Sequence, residues 1–226
     1  MGHSSCLWKG SHIVIFGGWN GYNVLSDVIF IDLRNGLDRI TFNIPQVIKG
    51  EAPMRQFHTA NIIENKMYVF GGGDGKSWLN ELMILDLLNL EWNGPINFQN
   101  QMNISPFESN QSALSQQMDV TPSGRLQHSS VASDSKIYIF GGEPDQFRQL
   151  NDIWSLDTKT LIWEKPKTTG QEPSARVSST GCLVDNKIYY FGGYDGLQWL
   201  NDVHSFDIQT NRWEKINIPG HQHESQ

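Results

Sequence analysis

Three arginines, Arg55, Arg125 and Arg176, each stand three residues before a polar group, His58, His128 and Ser179 respectively, with acidic residues further on at Glu81, Asp152 and Asp202. Imidazoles near carboxylates are a donor set for a transition metal or for acid–base work, so a metal-dependent or small-molecule enzyme is one reading. The same arginines and acids can instead pair with each other as ions inside a scaffold. Cys6 and Cys182 lie three residues after His3 and Ser179, and His221 with His223 forms a short His-x-His near the C-terminal end. No G-x-S-x-G elbow, H-E-x-x-H helix or phosphate-binding glycine loop accompanies them. Recurrence decides the weight of these groups, because a spacing that returns along a chain describes architecture before chemistry.

The recurring cassette is long. Gly17-Gly18, Gly71-Gly72, Gly141-Gly142 and Gly192-Gly193 each end a short apolar run. From the first glycine, an aspartate follows 15 residues on at Asp32, Asp86 and Asp207, and 16 on at Asp157. An aromatic then closes the unit at Phe42, Trp92, Trp163 or Trp213. In the third unit, short β-branched and aromatic runs at 128–132, 137–140, 152–157 and 161–163 are bounded by turn formers, which predicts four strands. Four antiparallel strands with short connections, repeated radially, make a β-propeller blade, so the fold class is all-β. Residues without Cβ permit positive φ and close backbone approach at the glycine pair. The aspartate accepts hydrogen bonds from backbone two residues on, and the Trp fills the wedge between sheets.

The succession Arg125, His128, Lys136 to Gly142, Leu150-Asn151-Asp152, Asp157 and Trp163 resembles the kelch repeat, and the likeness runs over essentially the whole chain. Departures are local: Phe42 replaces Trp in the first unit, Ser179 replaces His in the fourth, and the third carries one extra loop residue. The resemblance implies a propeller, usually of about five to seven blades, serving as a protein-binding platform. It also implies that arginines at the positions of Arg55, Arg125 and Arg176 face the propeller mouth and contact an acidic partner segment, the alternative being their pairing with Glu81, Asp152 or Asp202. Some kelch-type propellers are enzymes, among them a copper oxidase of the galactose-oxidase kind. That oxidase needs a Cys–Tyr cofactor and several metal ligands, whereas Cys6 and Cys182 read as small buried hydrophobes. No cofactor is expected.

The units run approximately over 1–54, 55–124, 125–175 and 176–226, as a single array. Phe42 to Arg55 and Trp163 to Arg176 are each 13 residues, while Trp92 to Arg125 takes 33. The excess, about 94–124, is rich in Asn, Gln and Ser and is expected to be mobile. Within it, Ser105-Pro106 and Thr121-Pro122 are phosphorylation candidates, and Asn103 and Asn110 open glycosylation patterns. The spacing predicts four blades of a longer array, with open ends able to self-associate. With 226 residues, net charge −7, two cysteines and no apolar run of membrane-spanning length, the composition argues against nucleic-acid and membrane partners and for a cytoplasmic setting.

In such a meander the second-to-third-strand loops and the inter-unit connections share one end of every blade. That end is the expected binding face, with loops at 19–24, 73–78, 143–149 and 194–199. The partner-binding candidates are Trp19, Tyr22, Arg55, Asp74, Trp78, Arg125, Phe147, Arg148, Arg176, Tyr194, Asp195 and Trp199. Trp78 and Trp199 share a register immediately before Leu-Asn, so packing beneath the loop is their competing role. The leading function is a non-enzymatic interaction scaffold or adaptor.

Overall fold

Short strands broken by glycine and aspartate turns give four small sheets. A computed structural model describes residues 1–36, 39–47, 49–96 and 121–217. Most of the polar tract with Asn103, Ser105 and Asn110, and the pair His221 and His223, lie outside the described residues. The first sheet holds β1 (Ser4–Trp8), β2 (His12–Phe16), β3 (Val28–Asp32) and β4 (Thr41–Asn43). The second holds β5 (Thr59–Ile63), β6 (Lys66–Phe70), β7 (Leu82–Asp86) and β8 (Glu91–Asn93). The third holds β9 (Ser129–Ser133), β10 (Lys136–Phe140), β11 (Ile153–Asp157) and β12 (Ile162–Glu164). The fourth adds a short leading strand, β13 (Thr169–Gly170), to β14 (Thr180–Val184), β15 (Lys187–Tyr194), β16 (Trp199–Asp207) and β17 (Arg212–Ile216). No helix among the described residues is long and apolar enough to cross a membrane.

In each sheet four consecutive strands (β1–β4, β5–β8, β9–β12 and β14–β17) form an antiparallel meander in chain order, and the strands β1, β5, β9 and β14 neighbour one another, lining one inner arc. The fifth strand of the last sheet was not expected from four-strand units. It arises because the connection between units runs along the outer edge of the following sheet: β13 pairs parallel with β17, and Lys49 makes the same parallel bridge to Glu91. An otherwise open sheet edge is thereby covered.

Three apolar cores join the four sheets, each between neighbours in sequence. The second-strand Phe of one sheet meets the last-strand Trp of the next, with ring centroids 5.0 Å apart for Phe16–Trp92, 4.9 Å for Phe70–Trp163 and 5.2 Å for Phe140–Trp213. Surrounding them are alternate residues of β2 and β6, β6 and β10, β10 and β15, as the two-residue period of strands demands. The aspartates that close each third-to-fourth turn behave as their position suggests. Asp86, Asp157 and Asp207 each accept two backbone N–H bonds through Oδ1, and those bonds hold their carboxyls below the usual range.

Candidate interaction face

The glycine pair is where the units lock. Gly17 has φ +65°, and a Cβ there would meet the Arg55 carbonyl oxygen at 2.5 Å. The following amide is used at once: the N–H groups of Gly18, Gly72 and Gly142 donate to the carbonyls of Arg55, Arg125 and Arg176, at 2.6, 2.9 and 2.9 Å. Those arginines then turn back into their own units. Arg125 donates from Nη1 to Gly141 O at 2.9 Å, and its two Nη atoms grip both Asp152 oxygens at 2.7 and 3.0 Å. Arg176 repeats this on Gly192 O and Asp202, with 3.0 Å to the carbonyl and 2.6 and 3.0 Å to the carboxylate. In both, Nε donates to the carbonyl of a serine two residues earlier, Ser123 or Ser174.

This corrects the partner-facing reading of Arg55, Arg125 and Arg176. Their exposures are 0, 0 and 1 %, so no guanidinium is available at the mouth, and an acidic segment loses the groups that would have held it. The pairing with Glu81, Asp152 and Asp202 is what the geometry contains. Burial pushes the Asp152 and Asp202 carboxyls up, but the hydrogen bonds and charge of their arginines outweigh it and hold both below the usual carboxylate range. The second unit is the weakest copy. Pro53 replaces the serine, Arg55 Nε has no hydrogen-bond partner among the described residues, and only one Glu81 oxygen is engaged, at 2.6 Å. Burial accordingly lowers the Arg55 pKa.

His58 and His128 also belong to the joints. Each Nε2 lies within hydrogen-bond distance of a hydroxyl on the preceding inner strand, Ser4 at 2.8 Å and Thr59 at 2.7 Å. Burial, with the nearby arginine charges, pushes His58 down to about 3 and His128 well below its ordinary value, so both are neutral. Nε2–H as donor leaves Nδ1 a bare acceptor, the cheaper omission for a buried ring. Among the described residues, no group of three or more His, Cys, Asp or Glu side chains is gathered as metal ligands would be. Cys6 is covered by the second sheet, its Sγ 3.2 Å from Ala60 O, and burial raises its thiol to about 11. Cys182, expected to be buried likewise, is exposed, on a face of the fourth sheet against which no further sheet packs among the described residues.

Above this base, all four loops fold the same way. Asn20, Asp74, Asp145 and Asp195 occupy one register, and each Oδ1 accepts the N–H two residues on, at 2.8 to 2.9 Å. Asp74 and Asp195, singled out as partner-binding, therefore have one carboxylate oxygen committed to shaping the loop, and those bonds lower their pKa values. The residue presented at the tip is Tyr22, Lys76, Phe147 or Leu197, and all four are exposed. Leu197 escaped the sequence reading, although its offset from Asp195 equals that of Tyr22 from Asn20.

The remaining candidates divide. Arg148 is exposed but tied to Asp145 at 2.8 Å. Tyr194 is half-buried, its hydroxyl donating to Gly196 O at 2.9 Å, and it packs on Trp199 with ring centroids 5.1 Å apart. Trp78 and Trp199 part company despite their shared register: Trp78 is half-buried where Gly124 closes against its carbonyl, whereas Trp199 is 76 % exposed. Trp19 sits at the loop base, bridged to Val24. Between the third and fourth loops lies an open groove of about 670 Å³, with Phe147 and Leu197 on its rims and Gln127, Glu143, Gln149 and Tyr194 among its lining. Burial, and then the Asp145 charge, raises the Glu143 carboxyl.

A radial arc of four-stranded sheets, clasped by buried Arg–acid pairs and holding out a row of variable tips, defines a propeller-type repeat protein. The chain matches the KLHDC2/KLHL20/DRC7 Kelch-repeats domain over residues 1–121 and again over 97–226, and it belongs to the kelch-repeat family. It is 32% identical over 200 residues to Kelch domain-containing protein 3 of Rattus norvegicus, covering 85% of this chain and 47% of that protein. It is also similar to Host cell factor 2 of Homo sapiens, 27% identical over 205 residues, which is 82% of this chain and 23% of the relative. The chain thus spans about half the length, or less, of these curated relatives.

Proposed function

We propose that this chain is a non-enzymatic scaffold or adaptor that captures a protein partner across its four loop tips. One observation carries the reading: a single turn geometry, built four times, presents four different exposed side chains, Tyr22, Lys76, Phe147 and Leu197, on the same end of the sheets. Exposed aromatics on rigid loops are the groups that dominate interface energies. With the three arginines enclosed, Glu143 and Asp195 are the charged groups lining the groove between the third and fourth loops, which favours a segment bearing apolar anchors and basic groups over an acidic one. Two unpaired cysteines suit a reducing, cytoplasmic setting.

Affinity capture with the wild-type chain and with a Tyr22→Ala/Phe147→Ala/Leu197→Ala variant tests the reading. Loss of the captured proteins is expected; an unchanged set of partners from the variant overturns it. A second reading, self-association through the ends of the arc, is favoured by the exposure of Phe42 and Phe191.

A further inference from the structure

Three of the four loops close at their bases in one way, and the third departs from it. The residue after the glycine pair bridges the residue before Leu: Trp19 to Val24, Gly73 to Trp78 and Tyr194 to Trp199. In the third loop those two positions are Glu143 and Gln149, one extra residue lies between them, and the bridge runs from Asp145 to Arg148. At the second loop the base is tight against the next connection, where a Cβ on Gly124 would meet the Trp78 carbonyl oxygen at 2.5 Å. Gln149, at the register of Trp78, lies toward the fourth loop, where a Cβ on Gly196 would meet its Oε1 at 2.8 Å. The groove of about 670 Å³ opens at this polar base.

Glu143 lines this groove half-buried, and among the described residues its carboxylate has neither a hydrogen bond nor an ion pair. Burial and the Asp145 charge both act against its ionised form. The cation of its own loop is already spent, since Arg148 is paired with Asp145 at 2.8 Å. Across the groove Asp195 adds a second negative charge, but its Oδ1 is taken by the N–H groups of Leu197 and Gln198. Tyr194 offers an aromatic ring in the same lining, fixed by its contact with Trp199 and by its hydroxyl bond to Gly196 O. Above them, Phe147 and Leu197 stand on the rims, 88 and 91 % exposed. A half-covered acid without a counter-ion, an aromatic ring beside it and two apolar rims together fit a cationic side chain carried between apolar ones.

We infer that this groove takes an arginine side chain from an extended segment of the protein partner, its guanidinium paired with Glu143 and laid against Tyr194, with apolar neighbours seated on Phe147 and Leu197. The inference deepens the tip reading and rests on it, adding a charged side chain that the tips themselves do not select. Arginine suits the site better than lysine. Its planar fork matches a carboxylate with two donors, it stacks on an aromatic face, and it gives up its hydration more readily than an ammonium. In an extended segment residues two apart share a face, so apolar residues two positions before or after the arginine are the ones that reach the rims. The net charge of −7 adds a long-range attraction for a basic segment.

The test is selection of a displayed random-peptide library on the full chain, followed by anisotropy titration of the strongest binder. Selected peptides should be enriched in arginine with an apolar residue two positions away. Replacing that arginine by citrulline, which keeps the shape and removes the charge, should weaken binding at least about tenfold, and replacing it by lysine should weaken binding less. Glu143→Gln should cost the arginine peptide a similar factor and leave the citrulline peptide unaffected. The same variant should unfold at no lower temperature than wild type, since Glu143 has no partner to lose; a lower midpoint would make Glu143 a scaffold acid and overturn the inference. It is also overturned by a library that yields no arginine-bearing binder, by equal affinity for the arginine and citrulline peptides, or by unchanged binding in Glu143→Gln. Affinity capture separates this inference from the reading beneath it. Partners lost by the Tyr22→Ala/Phe147→Ala/Leu197→Ala variant but kept by Glu143→Gln leave the tip reading standing and overturn the arginine site, whereas partners kept by the triple variant overturn the tip reading itself.

Discussion

The base and the tip of each loop obey opposite rules. At the base, Arg125 and Arg176 make nearly superimposable sets of bonds to an aspartate, a glycine carbonyl and a serine two residues back. At the tip, the same turn carries Tyr, Lys, Phe or Leu. Each unanswered donor on a buried guanidinium is costly, so its neighbourhood admits little variation, and the second unit, where Arg55 Nε goes unanswered among the described residues, is the exception. An exposed tip answers only to whatever docks on it. The repeat is therefore a device for separating the two demands.

The sharpest way to break this contrast is to remove a base. Arg125→Ala leaves the Asp152 carboxylate, whose side chain is 16 % exposed, without its counter-ion, and should cost about 3–5 kcal/mol of unfolding free energy, read by denaturant titration. Arg55→Ala should cost roughly half of that or less, because Glu81 is 41 % exposed and recovers water when released. Equal losses in the two variants would mean that the clasps do not differ as their geometry states.

Removing a tip should do the reverse. Phe147→Ala and Tyr22→Ala are expected to leave stability within about 0.5 kcal/mol while weakening partner binding by about 2 kcal/mol each, some thirtyfold. A large stability loss with unchanged binding would assign the aromatics to the scaffold.

Much of the base was legible in the sequence, and the reason is physical. Glycine doublets, Arg–acid spacing and the closing Trp recur because close backbone contact and buried charge tolerate few residue types. Even the weak copy was written there: Pro53 for Ser, Glu81 for Asp and Met83 where Trp154 and His204 supply a further donor to the carboxylate. The burial of the arginines was not legible, since the same residue at the same strand start could face either way. Trp78 and Trp199 could not be told apart, because their difference lies in what covers each loop from the neighbouring connection. The parallel strand Thr169–Gly170 has too little side chain to announce itself.

The joints between units give the next largest effect, through pH. His58 is held near 3 and His128 is also depressed, whereas an unfolded histidine titrates near about 6.5. Below about pH 6.5 the unfolded chain binds protons that the folded chain refuses, so stability is complete above that pH and falls as pH drops toward the folded values. The slope is at most about 1.4 kcal/mol per pH unit for each histidine. The depressed pKa values of Asp152 and Asp202 add a loss of the same sign at still lower pH. Thermal unfolding at pH 7, 6 and 5 should show the trend, and His58→Ser, which copies Ser179 of the fourth unit, should flatten it. A midpoint that does not move over this range would mean the rings are accessible to protons.

The smallest effect falls on the hinge between the two regimes. Asp195 belongs to the base by its hydrogen bonds and to the tip by its place in the loop. Asp195→Ala removes acceptors for the N–H groups of Leu197 and Gln198, at 2.9 and 2.8 Å, in a solvent-exposed loop. Stability should fall by only about 0.5–1 kcal/mol. Binding should weaken through lost order of Leu197, and Asp195→Asn, which keeps the acceptor oxygen as Asn20 does in the first unit, should restore it. If Asp195→Asn instead binds as poorly as Asp195→Ala, the carboxylate itself meets the partner, and the line between shaping and contacting residues has to be redrawn one position further from the tip.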